Sequence, residues 1–431
     1  MDRLPPRLLP LLYLGFAHAA LAVAFAAIAV DPRGAAGFFY HPRMLAIVHL
    51  VTLGWITASI LGSLYLVAPI ALRAHLPAAW PDYAAAALFA IGVIGMAGHF
   101  WVAEYGGMAW SGGVVAVAVL LVGVRAAGPL WRAPIPLAIR LHAGLAFVNF
   151  AGAATMGVLI GIHKVHAFLP GSLLADVFAH AQLAAIGWAT LMVVGVAYRL
   201  LPMVLPARMP GGGALYASAA FLETGVWALF VTLLRGGRGT WLCAVLIIAG
   251  VAAFGRQVVW MLRHPLPRPP AIRAPDPAVL HAGAAMVSLI VACGLGLWLS
   301  VATMSEATLR AAMAYGVLGL VGFLAQMVVA MEGRLLPIHA WYWAFANAGF
   351  RGPVPSPHEM PWRAGQLIVV ALWWLGLPCL AAGLAFEAVP LVAAGAWSLL
   401  AATALDTMQM ALVARHAYAR RGPTSRRAAD A

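Results

Sequence analysis

One stretch, written three times, constrains this chain more than any other feature. His49 to Pro69, HLVTLGWITASILGSLYLVAP, aligns with His180 to Pro202, HAQLAAIGWATLMVVGVAYRLLP, when Gly54 is set on Gly187. Trp55 then falls on Trp188, Thr57 on Thr190, Gly62 on Gly195, Tyr65 on Tyr198 and Pro69 on Pro202. A weaker third copy runs from Tyr315 to Pro337. It puts Gly322-Phe323 at the origin and repeats Arg199-Leu200-Leu201-Pro202 as Arg334-Leu335-Leu336-Pro337. The origins are 133 (187 − 54) and 135 (322 − 187) residues apart. A looser echo around His18, His142 and His281 precedes each copy. Self-similarity at a fixed period governs the fold wherever it occurs. Small residues, aromatics and prolines recur in any membrane helix, but chance recurrence does not keep this spacing.

With 64% hydrophobic and 9% charged residues, the chain lies far from the soluble norm of about a quarter charged. It reads as a polytopic membrane protein. The excess of 26 basic over 13 acidic residues is therefore a topology signal, and no nucleic-acid partner is expected. Cys243, Cys293 and Cys379 stand singly in apolar runs, with no CxxC or CxxCH motif for zinc or covalent haem. The first apolar run lacks a small-residue cleavage site and reads as part of the repeat, not as a signal peptide.

A spanning helix needs about 20 mostly apolar residues. Twelve segments qualify: 10–30, 44–70, 83–103, 108–126, 138–162, 174–203, 214–234, 240–262, 279–303, 311–337, 365–385 and 389–413. Three repeats of four segments, roughly 8–128, 136–263 and 278–414, account for all twelve. The predicted fold is all-α, one transmembrane domain of three pseudo-threefold repeats. With the N-terminus inside, twenty Arg residues fall on the inner side against six Arg and Lys outside, which puts both termini in the cytoplasm. Arg263 to Pro277 reads as an extended inner linker. Ile338 onward, with Trp341, Tyr342 and Trp343, reads as a separate helix at the inner interface. Residues 415–431 read as a disordered basic tail that meets anionic lipid.

In this topology His41, His49, His99, His163, His166 and His180 gather towards the outer face. Imidazole is the usual protein ligand of haem iron and copper, and an intramembrane imidazole is costly without a partner. His49 and His180 open the second and sixth segments and are candidates for cofactor binding; the competing reading is a histidine bonded to a nearby carbonyl. His163 and His166, three apart on one helical face, and His99 are candidate metal ligands, or else interfacial histidines. His18, His142 and His281 lie near inner helix ends and suggest a shared packing or hydrogen-bonding role. Glu223 and Asp406 fall inside spans and, with Tyr315, are candidates for a proton or polar network. Glu332, beside Arg334, reads as an interfacial ion pair.

Twelve spans in three quartets, with an outer-half histidine opening the second and sixth, resemble subunit I of the haem-copper oxidases. The pattern His…Gly…Tyr…Pro is most similar to the cbb3-type branch. The resemblance covers nearly the whole chain in topology, but in sequence only the second, sixth and tenth segments. It implies His49 as a ligand of low-spin haem b and His180 as a ligand of copper. It also implies a bacterial-type inner membrane and respiratory or other redox membrane proteins as partners. The chain departs from the family where the catalytic metals are held: segment 214–234 has no histidine, and neither has 311–337, where Tyr315 stands in the place of His180. A divergent, ligand-poor relative is expected, binding haem or copper without a full oxygen-reducing centre. The alternatives are an accessory or sensor protein for haem, copper or nitric oxide and, on weaker grounds, a transporter.

Overall fold

The computed structural model describes residues 4–37, 39–346 and 354–418. Among them, twelve helices are long and apolar enough to cross a membrane. They are α1 Leu9–Val30, α2 Pro42–Ile70, α3 Trp80–Trp101, α4 Tyr105–Arg132, α5 Leu137–His166, α6 Leu173–Val204, α7 Ala214–Leu234, α8 Thr240–Arg263, α9 Pro277–Leu299, α10 Glu306–Phe345, α11 Arg363–Ala385 and α12 Val389–Ala417. No strand occurs among the described residues beyond an isolated bridge, Ala207 to Pro265. Ile91, Ile94, Val117, Val124 and Ile290 stand exposed along the spans. Such residues are at home against acyl chains and would be a liability in water.

α3 with α4, α7 with α8, and α11 with α12 pack as antiparallel pairs. α4 packs on α5, α8 on α9 and α12 back on α1, so the outer helices close a ring. Inside it lie α2, α6 and α10. Each carries an eight-residue π-helical segment: Leu50–Thr57, Leu183–Thr190 and Leu318–Ala325. These begin 133 (183 − 50) and 135 (318 − 183) residues apart, the spacing of the three glycine origins. The three segments touch one another at the centre of the bundle. π turns are rare in proteins and tend to mark functional positions.

Each origin glycine is a point of close approach. A Cβ on Gly54 would lie 2.5 Å from Ala20 Cβ, one on Gly187 2.9 Å from Asn149 Cβ, and one on Gly322 2.7 Å from Ser288 Oγ. The missing side chain lets α2, α6 and α10 close onto α1, α5 and α9 respectively. These contacts correct the register of the histidine echo. Gly62 abuts Tyr13, while its counterpart Gly195 abuts His142. Tyr13, His142 and His281 each stand seven residues before the contact residue (20 − 13, 149 − 142, 288 − 281). Tyr13, not His18, therefore occupies the place of His142 and His281, and His18 faces different neighbours.

The two aligned tyrosines share a job. Tyr65 Oη donates to Asp82 Oδ1 (2.8 Å) in the first turn of α3, and Tyr198 Oη lies 2.8 Å from Ser218 Oγ early in α7. Each pins the end of one helix to the start of the next. Asp82 is further held by Arg125 Nε at 2.6 Å, and Ser218 by His142 Nε2 at 3.0 Å.

Two expectations are corrected. No separate interfacial helix begins at Ile338, because α10 runs unbroken through Pro337 to Phe345. A proline forfeits one hydrogen bond, which packing offsets inside a bundle. The tail is not loose from its start, since Arg415–Ala417 form a 3₁₀ turn in which Ala417 is buried. Arg7 holds that turn, donating to the Ala417 carbonyl and stacking 4.0 Å from the Tyr418 ring centre. The rest of the expected tail, 419–431, and part of the aromatic and Pro-rich stretch after Ile338 lie outside the described residues. The Arg263–Pro277 connection is irregular, tied at its start by Leu266 N donating to Pro206 O (2.7 Å).

Candidate functional site

α1 begins and α12 ends on one face of the bundle, called here the termini face. α2 and α6 therefore descend from the opposite face, and their histidines lie in that half. The ring centres of His49 and His180 are 6.5 Å apart and their planes are within 21° of parallel. Phe100 of α3 lies on His49 with ring centres 4.8 Å apart. Sequence alignment does not make the two histidines equivalent, yet the fold brings them face to face across α2 and α6.

Both rings are held in the same tautomeric sense. His49 Nδ1 donates to the Leu45 carbonyl at 2.7 Å, and His180 Nδ1 to the Ala153 carbonyl at 2.8 Å. The carbonyl-bonded reading of these histidines is thus correct for one ring nitrogen. It leaves the other, Nε2, carrying the lone pair. A carbonyl on Nδ1 is how proteins commonly orient a metal-binding imidazole. The His180 ring also lies directly on α5, where a Cβ on Gly157 would sit 2.9 Å from its Cε1. Gly157 provides the cradle that the ring fills.

The other candidates in the half opposite the termini go elsewhere. His163 Nδ1 accepts from the backbone N–H of Leu169 at 2.7 Å, closing the turn after α5. His166 is exposed at the same helix end. His99 Nδ1 lies 3.2 Å from Ser111 Oγ, with Nε2 3.9 Å from Glu104. His41 caps α2, accepting from Arg43 N at 3.3 Å. No set of three or more His, Cys, Asp or Glu side chains converges as a metal site among the described residues. The pair His49–His180 stands apart from the remaining candidates.

Two polar links tie α6 to its neighbours, one to α10 and one through α5 to α7. Tyr315 Oη donates to Gln182 Oε1 at 2.9 Å, joining α10 to α6 two residues beyond His180. Glu223 of α7 accepts from Asn149 Nδ2 (2.7 Å) and from Trp227 Nε1 (3.0 Å). Asn149 Nδ2 also reaches the Gly187 carbonyl, at 3.1 Å, inside the π segment of α6. Sequence reading singled out Glu223 and Tyr315 but missed Asn149, Gln182 and Gly157. A lone Asn within a long apolar run was the available signal.

Asp406 lies in the half nearer the termini, 3.8 Å from His18 Nε2. The Glu332–Arg334 ion pair does not form. Arg334 bonds Asp276 instead, and Glu332 is buried beside His18. Residues two apart on a helix point in nearly opposite directions, so adjacency in sequence misled here.

No protein-family model matches the chain, and no curated protein matches it significantly. Any functional conclusion therefore rests on the residues themselves.

Proposed function

We propose that this is a multi-pass membrane protein that binds a redox-active metal centre, haem b iron or copper, between His49 and His180. The observation that carries the reading is the facing pair: two half-buried imidazoles, each with Nδ1 tied to a carbonyl, 6.5 Å between ring centres. Two ring nitrogens about 2 Å from one metal put their ring centres roughly 6 Å apart, and the separation of this pair is close to that. Gly157 supports the fit, because a side chain there would displace the His180 ring. When bound, the metal would supply one-electron or gas-binding chemistry inside a dry helical surround that sets its potential. The chain's own part is to fix both rings, exclude water with Phe100, and hold the polar links at Tyr315 and Glu223.

The larger architecture is proposed on the same footing: three pseudo-threefold repeats of four helices, in the manner of haem-copper oxidase subunit I. The equal spacing of the π segments and the paired tyrosine pins support it. Positive charge at the termini face supports a bacterial-type inner membrane with both ends cytoplasmic. Because two imidazoles meet without a third metal-binding side chain among the described residues, the reading favours a one-metal electron-transfer, sensor or accessory role beside respiratory or nitric-oxide proteins. The test is an optical spectrum of protein expressed with ample haem, together with metal analysis. A Soret band or stoichiometric copper, lost in both His49→Ala and His180→Ala, is expected. Protein free of both metals after loading would overturn the reading.

A further inference from the structure

A second cluster lies nearer the termini face than the histidine pair and is more deeply buried. His18 of α1, Glu332 of α10 and Asp406 of α12 are 4%, 3% and 6% exposed. His18 Nδ1 bonds the Leu14 carbonyl at 3.0 Å and lies 3.7 Å from Glu332 Oε1, while its Nε2 lies 3.8 Å from Asp406 Oδ2. Both Glu332 oxygens and His18 Nε2 are shut off from solvent without a hydrogen-bond partner. The Trp55 ring of α2 meets the His18 imidazole edge-on at 5.0 Å. From α9, His281 Nδ1 accepts from Gln326 Nε2 at 3.2 Å. Gln326 Oε1 and both amide atoms of Gln409 are also buried and unpartnered.

Charge balance decides what such a cluster does. Two carboxylates and a neutral imidazole would place two negative charges in the membrane interior, at a prohibitive cost. Arg334, whose guanidinium lines the adjoining cavity with Asp406, is committed to Asp276. The neutral state holds two protons over the three groups, either as two carboxylic acids with a neutral imidazole or as one acid beside an imidazolium–carboxylate pair. A proton moves between those arrangements without changing the net charge. Releasing one leaves a single charge shared among the three groups, a far smaller cost than two, so the site can exchange one proton.

A cavity of about 20 Å³ among Asp276, His281, Gly333, Arg334, Gln366 and Asp406 adjoins the cluster on the termini side. That is room for one water.

We infer that His18, Glu332 and Asp406 form an intramembrane proton-binding site that exchanges with water at the termini face through this cavity. The inference is independent of any metal at His49 and His180. Each exchange relays one proton from hydronium at the termini face, through the cavity water, onto a carboxylate or the imidazole, or returns it the same way, with no bond to carbon and no electron transferred.

Infrared spectroscopy of the full-length protein in liposomes tests it. The expected result is a carboxylic C=O band that titrates with pH, shifts in deuterium oxide, and loses separate components in Glu332→Gln and Asp406→Asn. Glu223→Gln identifies any contribution from that residue. Both cluster substitutions keep shape and remove a chargeable group, so folding is expected to survive. Should either fail to fold, carbon-13 labelling of glutamate or aspartate carboxyls assigns the band in the unaltered protein. In oriented liposomes the band should follow the pH on the termini side. An unaltered protein with no titrating carboxyl band, a band undiminished in both variants, or a response only to the opposite side would overturn the inference.

Discussion

Trp188 Nε1 donates to Thr57 Oγ1 at 3.0 Å across the centre of the bundle. The donor follows the origin glycine of the α6 π segment, and the acceptor ends the π segment of α2. Trp55, the matching donor on α2, reaches the carbonyl of Ala325, which ends the π segment of α10, at 3.2 Å. The third donor position holds Phe323, which has no N–H to give. Two of three equivalent links are thus hydrogen bonds between central helices. The aligned Gly-Trp…Thr pattern is explained as interhelical locking where the three helices meet.

Thr57→Val keeps the shape and removes the acceptor, leaving a buried indole N–H without a partner. The expected loss is about 1–3 kcal/mol, read as a lower unfolding temperature in detergent. Trp188→Phe combined with Thr57→Val should cost less than the two single losses added together, since both remove the same bond. Full additivity of the two substitutions would show that the bond does not hold the centre together.

Gly157→Ala tests the cradle beneath His180. The added Cβ would stand 2.9 Å from Cε1 of the ring, so the imidazole must turn off its Ala153 carbonyl. Metal or haem affinity should fall about 10- to 100-fold, as for loss of an orienting partner, with helix content unchanged. Gly144→Ala serves as control, because its Cβ would meet nothing within 4 Å. Equal affinities in the two variants would exclude the cradle.

Much of this was legible in the sequence, for identifiable reasons. Apolar length alone located the twelve spans, since the bilayer imposes it. The Gly54, Gly187 and Gly322 origins marked the places where helices approach most closely, because only glycine permits a Cβ-free contact there. The π geometry was not legible: no residue type encodes it, and it arises from how three central helices pack. The sequence placed His49 and His180 on helices around a common interior but did not give their stacked pairing, because that depends on the relative rotation of α2 and α6. His18 was misread through a loose Ala-His-Ala echo, whereas the glycine contacts set the true register on Tyr13. Glu332 was assigned to Arg334 by adjacency, although helical geometry separates residues two apart.

Glu223 is held by two donors from different directions, Asn149 and Trp227. Glu223→Gln replaces one acceptor oxygen with an amide that cannot accept. One donor is then left facing another donor. A loss of about 1–3 kcal/mol follows, together with a shift in any metal spectrum if the α6 π segment moves through Asn149 and Gly187. Asn149→Leu should cost stability as well, because it strips a donor from both Glu223 and the Gly187 carbonyl. If Glu223→Gln is as stable as the parent, the carboxyl is not held by this network.

His358 provides a pH test outside the spanning helices. It borders a cavity of about 80 Å³ with Met203, Met331, Arg334 and Ile338 at the termini face. Burial first, and the Arg334 charge second, hold its pKa below the ordinary histidine value, with Asp276 opposing. The unfolded chain takes up this proton near pH 6.5, whereas the folded chain does so only at lower pH. Between those points the unfolded state binds more protons, so stability falls as pH drops below about 6.5 and is unaffected above it. His358→Gln should remove that component and flatten the acid limb of an unfolding-temperature profile. Arg334→Gln should reduce it by removing the repelling charge, though the Asp276 pair is lost as well. A profile unchanged between the parent and His358→Gln from pH 7 down to 5 would show that this imidazole titrates alike in both states.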